Sequence, residues 1–287
     1  MDADPASTAV VEPEATITPT GAACGAVIRN LTLSGAITSD QVAFIKKAFN
    51  EHQVLVFPGQ AMEKKDLVAF TQLWGPIGEH VLTGWTRDGI DEIHVISNIG
   101  PDGKLTGRHP DIVSLRWHTD KSYMSRPALA TILYGVEVPA VGGDTLFGDM
   151  YAAYDALPED VKMRIDGLIG VHSLEFSRRN GEKPASADEI NRAPPVAHPL
   201  VQAHPITGRK ALYCGHHAWK VEGWEEAESR VLLDMLYDHS IRPEFTYRHK
   251  WAAGDVVVWD NRCILHAATT FDTAAERRVM MRTVTMV

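Results

Sequence analysis

Three side chains constrain this chain more than any others: His118 and Asp120, two apart, and His266, far downstream. Two imidazoles and one carboxylate are the ligand set of a non-haem iron(II) site with open positions. In extended backbone, residues i and i+2 project to the same side, so His118 and Asp120 reach one ion from a single strand. His266 must then arrive on a different strand, as it would in a barrel.

Alone, the His-x-Asp signal is poor. The chain has 13 histidines, and roughly one such tripeptide is expected by chance at ordinary Asp frequency. His109-Pro110-Asp111 is indeed a second copy. Its central proline and the Gly/Pro-rich run around it read as a loop. The first copy follows the apolar Ile112-Val113-Ser114-Leu115 and Trp117, a context that favours it.

The last segment, Arg278-Val279-Met280-Met281-Arg282-Thr283-Val284, is the most informative stretch of physics. Even positions share a face, so Arg278 and Arg282 point the same way from an otherwise apolar strand. If that face is interior, two guanidiniums sit in low dielectric, where an unpaired charge costs several kcal/mol. No obvious acidic pair in the chain answers both, so anionic ligands are the economical solution. Arginine is also the side chain shaped for a bidentate grip on a carboxylate. An edge strand with two exposed arginines fits these residues equally well. Earlier, Gly142-Gly143 permit a tight turn, and the Thr145 hydroxyl can donate to the same carboxylate; a plain hairpin turn is the alternative.

Around these residues the pattern is strand-rich. Residues 1–14 read as a disordered lead-in and 15–287 as one domain. Ala15–Thr18, Ala23–Leu33, Val54–Phe57, Ile93–Ser97 and Ala130–Val138 are expected strands. Gly170–Phe176, Val196–Val201 with Lys210–Tyr213, Glu244–Trp251, Asp255–Trp259, Cys263–Ala267 and Arg278–Val287 complete the set. Helices are expected from a cap at Ser39 or Asp40 to His52, over Lys64–Trp74, over Met150–Gly167 with Pro158 interrupting, and over Glu225–His239. Segments 98–111 and 177–195 are polar and long enough to act as lids. Many strands with a few helices point to a mainly β fold, a jelly-roll barrel with helices packed outside; an α+β sandwich also fits the periods.

Hydrophobic residues make up 45% of the 287, enough for a real core. The net charge of −9 comes without any Lys/Arg cluster, so nothing marks a nucleic-acid partner. No apolar run approaches the roughly 20 residues that cross a bilayer. The N-terminus lacks a secretory pattern, and Cys24, Cys214 and Cys263 are too few and too spread to make a disulfide framework, which fits a reducing cytoplasm.

His118-x-Asp120, Gly142-Gly143-Asp144-Thr145, Trp259-Asp260-Asn261-Arg262 before His266, and Arg278 with Arg282 occur here in a familiar order. In this the chain resembles the taurine/2,4-dichlorophenoxyacetate group of iron(II)/2-oxoglutarate dioxygenases. The resemblance runs from Ile17-Thr18-Pro19-Thr20-Gly21 through Phe57-Pro58-Gly59-Gln60 to the final strand, and its spaced motifs are specific. It implies a double-stranded β-helix with Fe(2+) on His118, Asp120 and His266. It also implies 2-oxoglutarate held by Arg278 and Thr145, and O2 as oxidant. Arg282 matches the position that grips the substrate's acidic group, and His80 looks like the histidine beside it. The resemblance places His216-His217 near the substrate cavity, and His216 is taken as the contact. The implied reaction is hydroxylation of a small anionic organic acid, such as a sulfonate, an aryloxyalkanoate or a similar carboxylate, with release of succinate and CO2. The carboxylate at Asp120 implies hydroxylation where halogenases of similar build carry a small residue. Relatives commonly self-associate, so a homo-oligomer is expected. The competing reading is a cupin-like module that binds metal or acid without turnover.

Overall fold

The structure, a computed structural model, describes residues 14–78, 92–179 and 184–287. The expected lead-in (apart from Glu14), His80 and positions 180–183 of the second lid segment therefore lie outside the described residues.

The chain begins with β1 (Thr16–Pro19), β2 (Ala26–Arg29) and α1 (Ser39–His52). The cap of α1 is Thr38, one residue before the expected position. Its hydroxyl accepts from Gln41 N–H while the Gln41 side chain accepts from Thr38 N–H, which satisfies two backbone donors reciprocally. Then come β3 (Val54–Phe57), α2 (Lys64–Thr71), β4 (His94–Ser97), β5 (Ala128–Glu137) and β6 (Thr145–Asp149). The region read as one interrupted helix is α3 (Met150–Asp155) and α4 (Glu159–Ile165), with Pro158 capping the second.

The expected strand Gly170–Phe176 is corrected. β7 (Ile169–His172) stops early, because the Ser173 hydroxyl accepts from Phe176 N–H at 3.1 Å and starts α5 (Leu174–Arg178). The segment read as irregular also holds a short helix, α6 (Ala187–Arg192), capped reciprocally by Ser186 and Glu189. β8 (Val196–Pro199), β9 (Val201–Ala203) and β10 (Lys210–Leu212) follow. Only β9 pairs with β10; β8 pairs with β7, so the expected hairpin is the shorter half of that region. The remaining elements are β11 (Ala218–Val221), α7 (Glu226–Ser240), β12 (Thr246–His249), β13 (Val256–Asp260), β14 (Ile264–Ala268) and β15 (Val279–Met286).

Seven strands form one sheet in the order β1-β2-β3-β13-β5-β15-β4, and β12-β6-β14 and β11-β7-β8 form three-stranded sheets. The result is a sheet-rich fold with helices, and no sheet closes on itself among the described residues. Apolar positions alternate between two cores. Leu55, Phe57, Ile132, Val256 and Val258 face Ile45 and Phe49 of α1 and Leu67 and Phe70 of α2. Val54, Val56, Leu133, Val257, Trp259 and Met280 face the other way, toward Phe147 of β6 and Leu265 of β14. Burial on both faces is why β3 reads as an unbroken apolar run. The candidate site lies on this second side, where β14 and β15 turn polar residues inward.

Candidate active site

His118 and His266 are brought together by backbone. Each donates its N–H to the other's carbonyl at 2.9 Å, an isolated antiparallel bridge that sets the two side chains next to each other. Their ring centroids are 4.2 Å apart. Asp120, two residues after His118, projects to the same side. Its Oδ1 is 3.7 Å from His118 Nε2 and its Oδ2 is 3.6 Å from His266 Nε2. All three are buried, and their ligand atoms lie within 4.8 Å of one another.

The donor set fits a divalent metal. His118 Nδ1–H donates to the Arg116 carbonyl at 2.7 Å, which leaves a lone pair on Nε2 facing Asp120. Burial opposes ionisation of the Asp120 carboxyl, but neighbouring His266 and then Arg282 outweigh it and hold the group well below the usual carboxylate range. His266 is pushed down to about 3 by burial and by its closeness to His118. Burial lowers the His118 pKa, but Asp120 outweighs it and raises it, so the anionic carboxylate between the two imidazoles favours a cation there, a proton or a metal ion.

A second cluster of metal-type ligands, His204, Asp260 and Cys263, is already satisfied. Arg262 donates to Asp260 at 2.8 and 2.6 Å and His204 Nε2 at 3.1 Å, while His204 Nδ1 accepts the Ile206 and Thr207 N–H groups. Asp260 also accepts the Arg262 N–H, so it fixes the turn before His266 as expected. Asn261 instead reaches across to the Asp120 backbone.

Arg278, the residue before β15, and Arg282 within it project to the same side. A register shift beside Val279 skips Val136 on β5, so the alternation of β15 survives and Met280 between them packs into the inner core. Arg278 is 3% exposed, and among the described residues its guanidinium makes one hydrogen bond, Nε to the Gly143 carbonyl at 3.2 Å. Burial lowers its pKa to about 10. The neighbouring acids are Asp111 and Asp144, and Asp144 is itself gripped by Arg248 at 2.6 Å. Thr145 accepts from Trp251 Nε1 at 3.0 Å, so its own proton is available to an anion. Gly142 and Gly143 both have positive φ; a Cβ on Gly143 would lie 3.2 Å from the Arg278 side chain, so the turn packs directly against that arginine. Arg282 lies closer to the triad: it donates to His94 Nδ1 at 3.0 Å and approaches Asp120 Oδ1 at 3.5 Å.

A cavity of about 70 Å³ opens on His118 and Asp120, and Arg282, Arg178, Lys121, Tyr123 and His217 share its wall. His216 lines a different, larger cavity of about 430 Å³, and its Nε2 donates to the Ser177 carbonyl at 2.9 Å. At the triad it is His217 whose ring lies 5.9 Å from that of His118 and 4.8 Å from Tyr123. Gly215 makes this possible, because a Cβ there would lie 3.1 Å from the His118 Cα and 2.8 Å from Leu265. Arg178 is buried with its Nε lacking a partner among the described residues, and its Nη1 is 3.5 Å from Glu189. Arg178, Tyr123, Lys121 and Thr131 were not singled out from sequence. The polar run Ser177-Arg178-Arg179 and the strand threonine carry no motif, and only the His216-His217 pair offered a signal.

A family model described as "Taurine catabolism dioxygenase TauD, TfdA family" matches residues 16–284. The alpha-ketoglutarate-dependent 2,4-dichlorophenoxyacetate dioxygenase of Cupriavidus pinatubonensis is 39% identical over 265 residues, covering 89% of this chain and 92% of that protein. The (S)-phenoxypropionate/alpha-ketoglutarate-dioxygenase of Sphingobium herbicidovorans is 37% identical over 284 residues, covering 94% of each. Among solved structures, AAD-2 in complex with Mn(II) and N-oxalylglycine superposes with a TM-score of 0.85 at 31% identity, covering 96% of this chain and 97% of that one.

Proposed function

Because the chain belongs to the taurine catabolism dioxygenase TauD, TfdA family, we infer that it is an iron(II)- and 2-oxoglutarate-dependent dioxygenase that hydroxylates a small anionic organic acid. The observation that carries this reading is the buried group of His118, Asp120 and His266, with Arg282 3.5 Å from the Asp120 carboxylate and Arg278 buried four residues before it. Iron and 2-oxoglutarate, when bound, supply oxidation of a substrate C–H bond by O2, coupled to conversion of 2-oxoglutarate to succinate and CO2.

The chain's own residues do the rest. His118, Asp120 and His266 would hold the metal. Arg278 gives the distal carboxylate of 2-oxoglutarate a charged partner in low dielectric, and Thr145 adds a hydroxyl donor. Arg282, with Arg178 and His217 on the same cavity wall, orients the acidic group of the substrate so that one C–H bond faces the metal. Burial of the group excludes water and competing reductants. His80 and His216 belong to the reading as further substrate contacts; for His216 this requires that the two cavities, which share Val113, act together.

The same reading treats 15–287 as one domain whose seven-stranded sheet and β12-β6-β14 are the two halves of a double-stranded β-helix. It places the protein in the cytoplasm, which suits its buried free cysteines, and treats it as a homo-oligomer.

Anaerobic Fe(II) with 2-oxoglutarate should give a weak visible charge-transfer band, and His118→Ala or Asp120→Ala should abolish it. Succinate release is then measured across a panel of sulfonates, aryloxyalkanoates and alkyl sulfates. A band that persists in both variants sinks the metal assignment. No succinate with any acid, in iron-loaded protein, favours a binding module without turnover.

A further inference from the structure

A closed ring of hydrogen bonds ties Asp120 to two residues outside the ligand set. The Asp120 N–H donates to Asn261 Oδ1 at 3.1 Å. The Asn261 Nδ2 donates to Thr131 Oγ1 at 2.9 Å, and the Thr131 hydroxyl donates to Asp120 Oδ2 at 2.6 Å. The directions follow from the chemistry: the backbone N–H can only donate, which fixes the Asn261 amide with its NH2 toward Thr131. Thr131 Oγ1 then accepts from Asn261, and its single proton goes to the carboxylate. Thr131 and Asn261 are completely or almost completely buried, so no water competes for these bonds. Position explains the ring. Thr131 pairs with Trp259 across β5 and β13, on the inward face it shares with Leu133, and Asn261 follows the end of β13.

The two oxygens of Asp120 are therefore unequal. Oδ2 carries a short hydroxyl bond, whereas the hydrogen bond at Oδ1 is a contact from Arg282 at 3.5 Å. We propose that Thr131 and Asn261 are positioning residues that fix the Asp120 carboxylate in the orientation it offers to the metal. A carboxylate held by these bonds keeps one orientation, whereas one without them is free to rotate away from the two imidazoles. The inference rests on the metal-site reading above and deepens it.

The test uses Mn(II) alone, titrated anaerobically into metal-stripped wild type, D120A, T131V and T131S and followed by the Mn(II) EPR signal. Hydrogen-bond partners of metal ligands typically contribute 10–100-fold to affinity, so T131V should bind Mn(II) about 10–100-fold more weakly than wild type. T131S keeps the hydroxyl and loses the methyl, and should return to within about threefold. A packing role predicts the reverse, with valine tolerated and serine impaired. Thermal melting of each stripped protein checks the fold, and T131A replaces T131V if valine prevents folding. Wild-type affinity in T131V, or T131S as weak as T131V, overturns the positioning role while the metal site stands, provided D120A loses Mn(II). If D120A binds as tightly as wild type, the metal reading fails and the positioning role fails with it.

Discussion

Arg278, just before β15, and Arg282, within it, project to one side and meet different surroundings. Arg278 is the more deeply buried of the two and meets a backbone carbonyl and two acids at the edge of its reach; Arg282 meets His94 and the triad carboxylate. The two should therefore fail differently. Arg278→Met removes the charged partner of 2-oxoglutarate. A hydrogen bond to a charged group contributes about 1.5–3 kcal/mol, so the anaerobic band should need roughly 10- to 150-fold more 2-oxoglutarate to saturate. Arg282→Met should leave that titration within a few-fold of wild type and raise KM for the best acid of the succinate panel about tenfold or more. Arg178→Met should resemble Arg282→Met, because both guanidiniums open on the same cavity. If Arg278→Met changes only the KM of the acid, the two roles are interchanged.

At the level of elements, the turn joining β5 to β6 shows how backbone shape is tied to chemistry. Gly143 has φ +64°, and a Cβ there would stand 2.7 Å from Pro139 Cγ and 3.2 Å from Arg278 Cδ and Nε. Gly143→Ala should cost about 1–2 kcal/mol for the left-handed backbone, read by urea unfolding, and should also weaken 2-oxoglutarate binding because Arg278 must give way. Gly208→Ala separates the effects: φ there is +70° with nothing within 4 Å of the new methyl, so it carries the strain and should leave 2-oxoglutarate binding unchanged. Equal loss of binding in both variants would show that strain alone is responsible. The same scale explains what could be read from sequence. His118, Asp120 and His266 were legible because a period of two and a ligand set suffice to group them, and the apolar run of β3 because both its faces are buried. The end of β7 was not, because one serine hydroxyl capping Phe176 converts an apolar run into a helix. His217 in place of His216 beside His118 was not either, since the choice depends on how Gly215 lets one turn approach the His118 backbone. Thr131 was invisible because a strand threonine announces nothing until its neighbour across the sheet is known.

Across the whole molecule, histidines kept neutral by burial tie stability to pH. His172 is pushed down to about 3, by burial first and then by neighbouring His198, and His198 is lowered by burial as well. The His172 ring packs 5.2 Å from that of His198 and 5.3 Å from that of Tyr213, and neither ring nitrogen has a hydrogen-bond partner among the described residues. In the unfolded chain a histidine titrates near 6.5, so below that pH the unfolded state binds a proton that the folded state refuses. Stability is thus full above about pH 6.5 and falls as the pH drops toward the folded value. Between about pH 7.5 and 5.5, one such histidine removes about 1.4 kcal/mol from the unfolding free energy. His172→Phe keeps the ring and removes the titration. Its urea unfolding free energy should therefore fall by about 1.4 kcal/mol less than that of wild type over this window, with both proteins stripped of metal so that ligand protonation contributes equally. An acid slope identical in the two proteins would mean that His172 takes up its proton without unfolding, and that the packing around β7 yields to a charge.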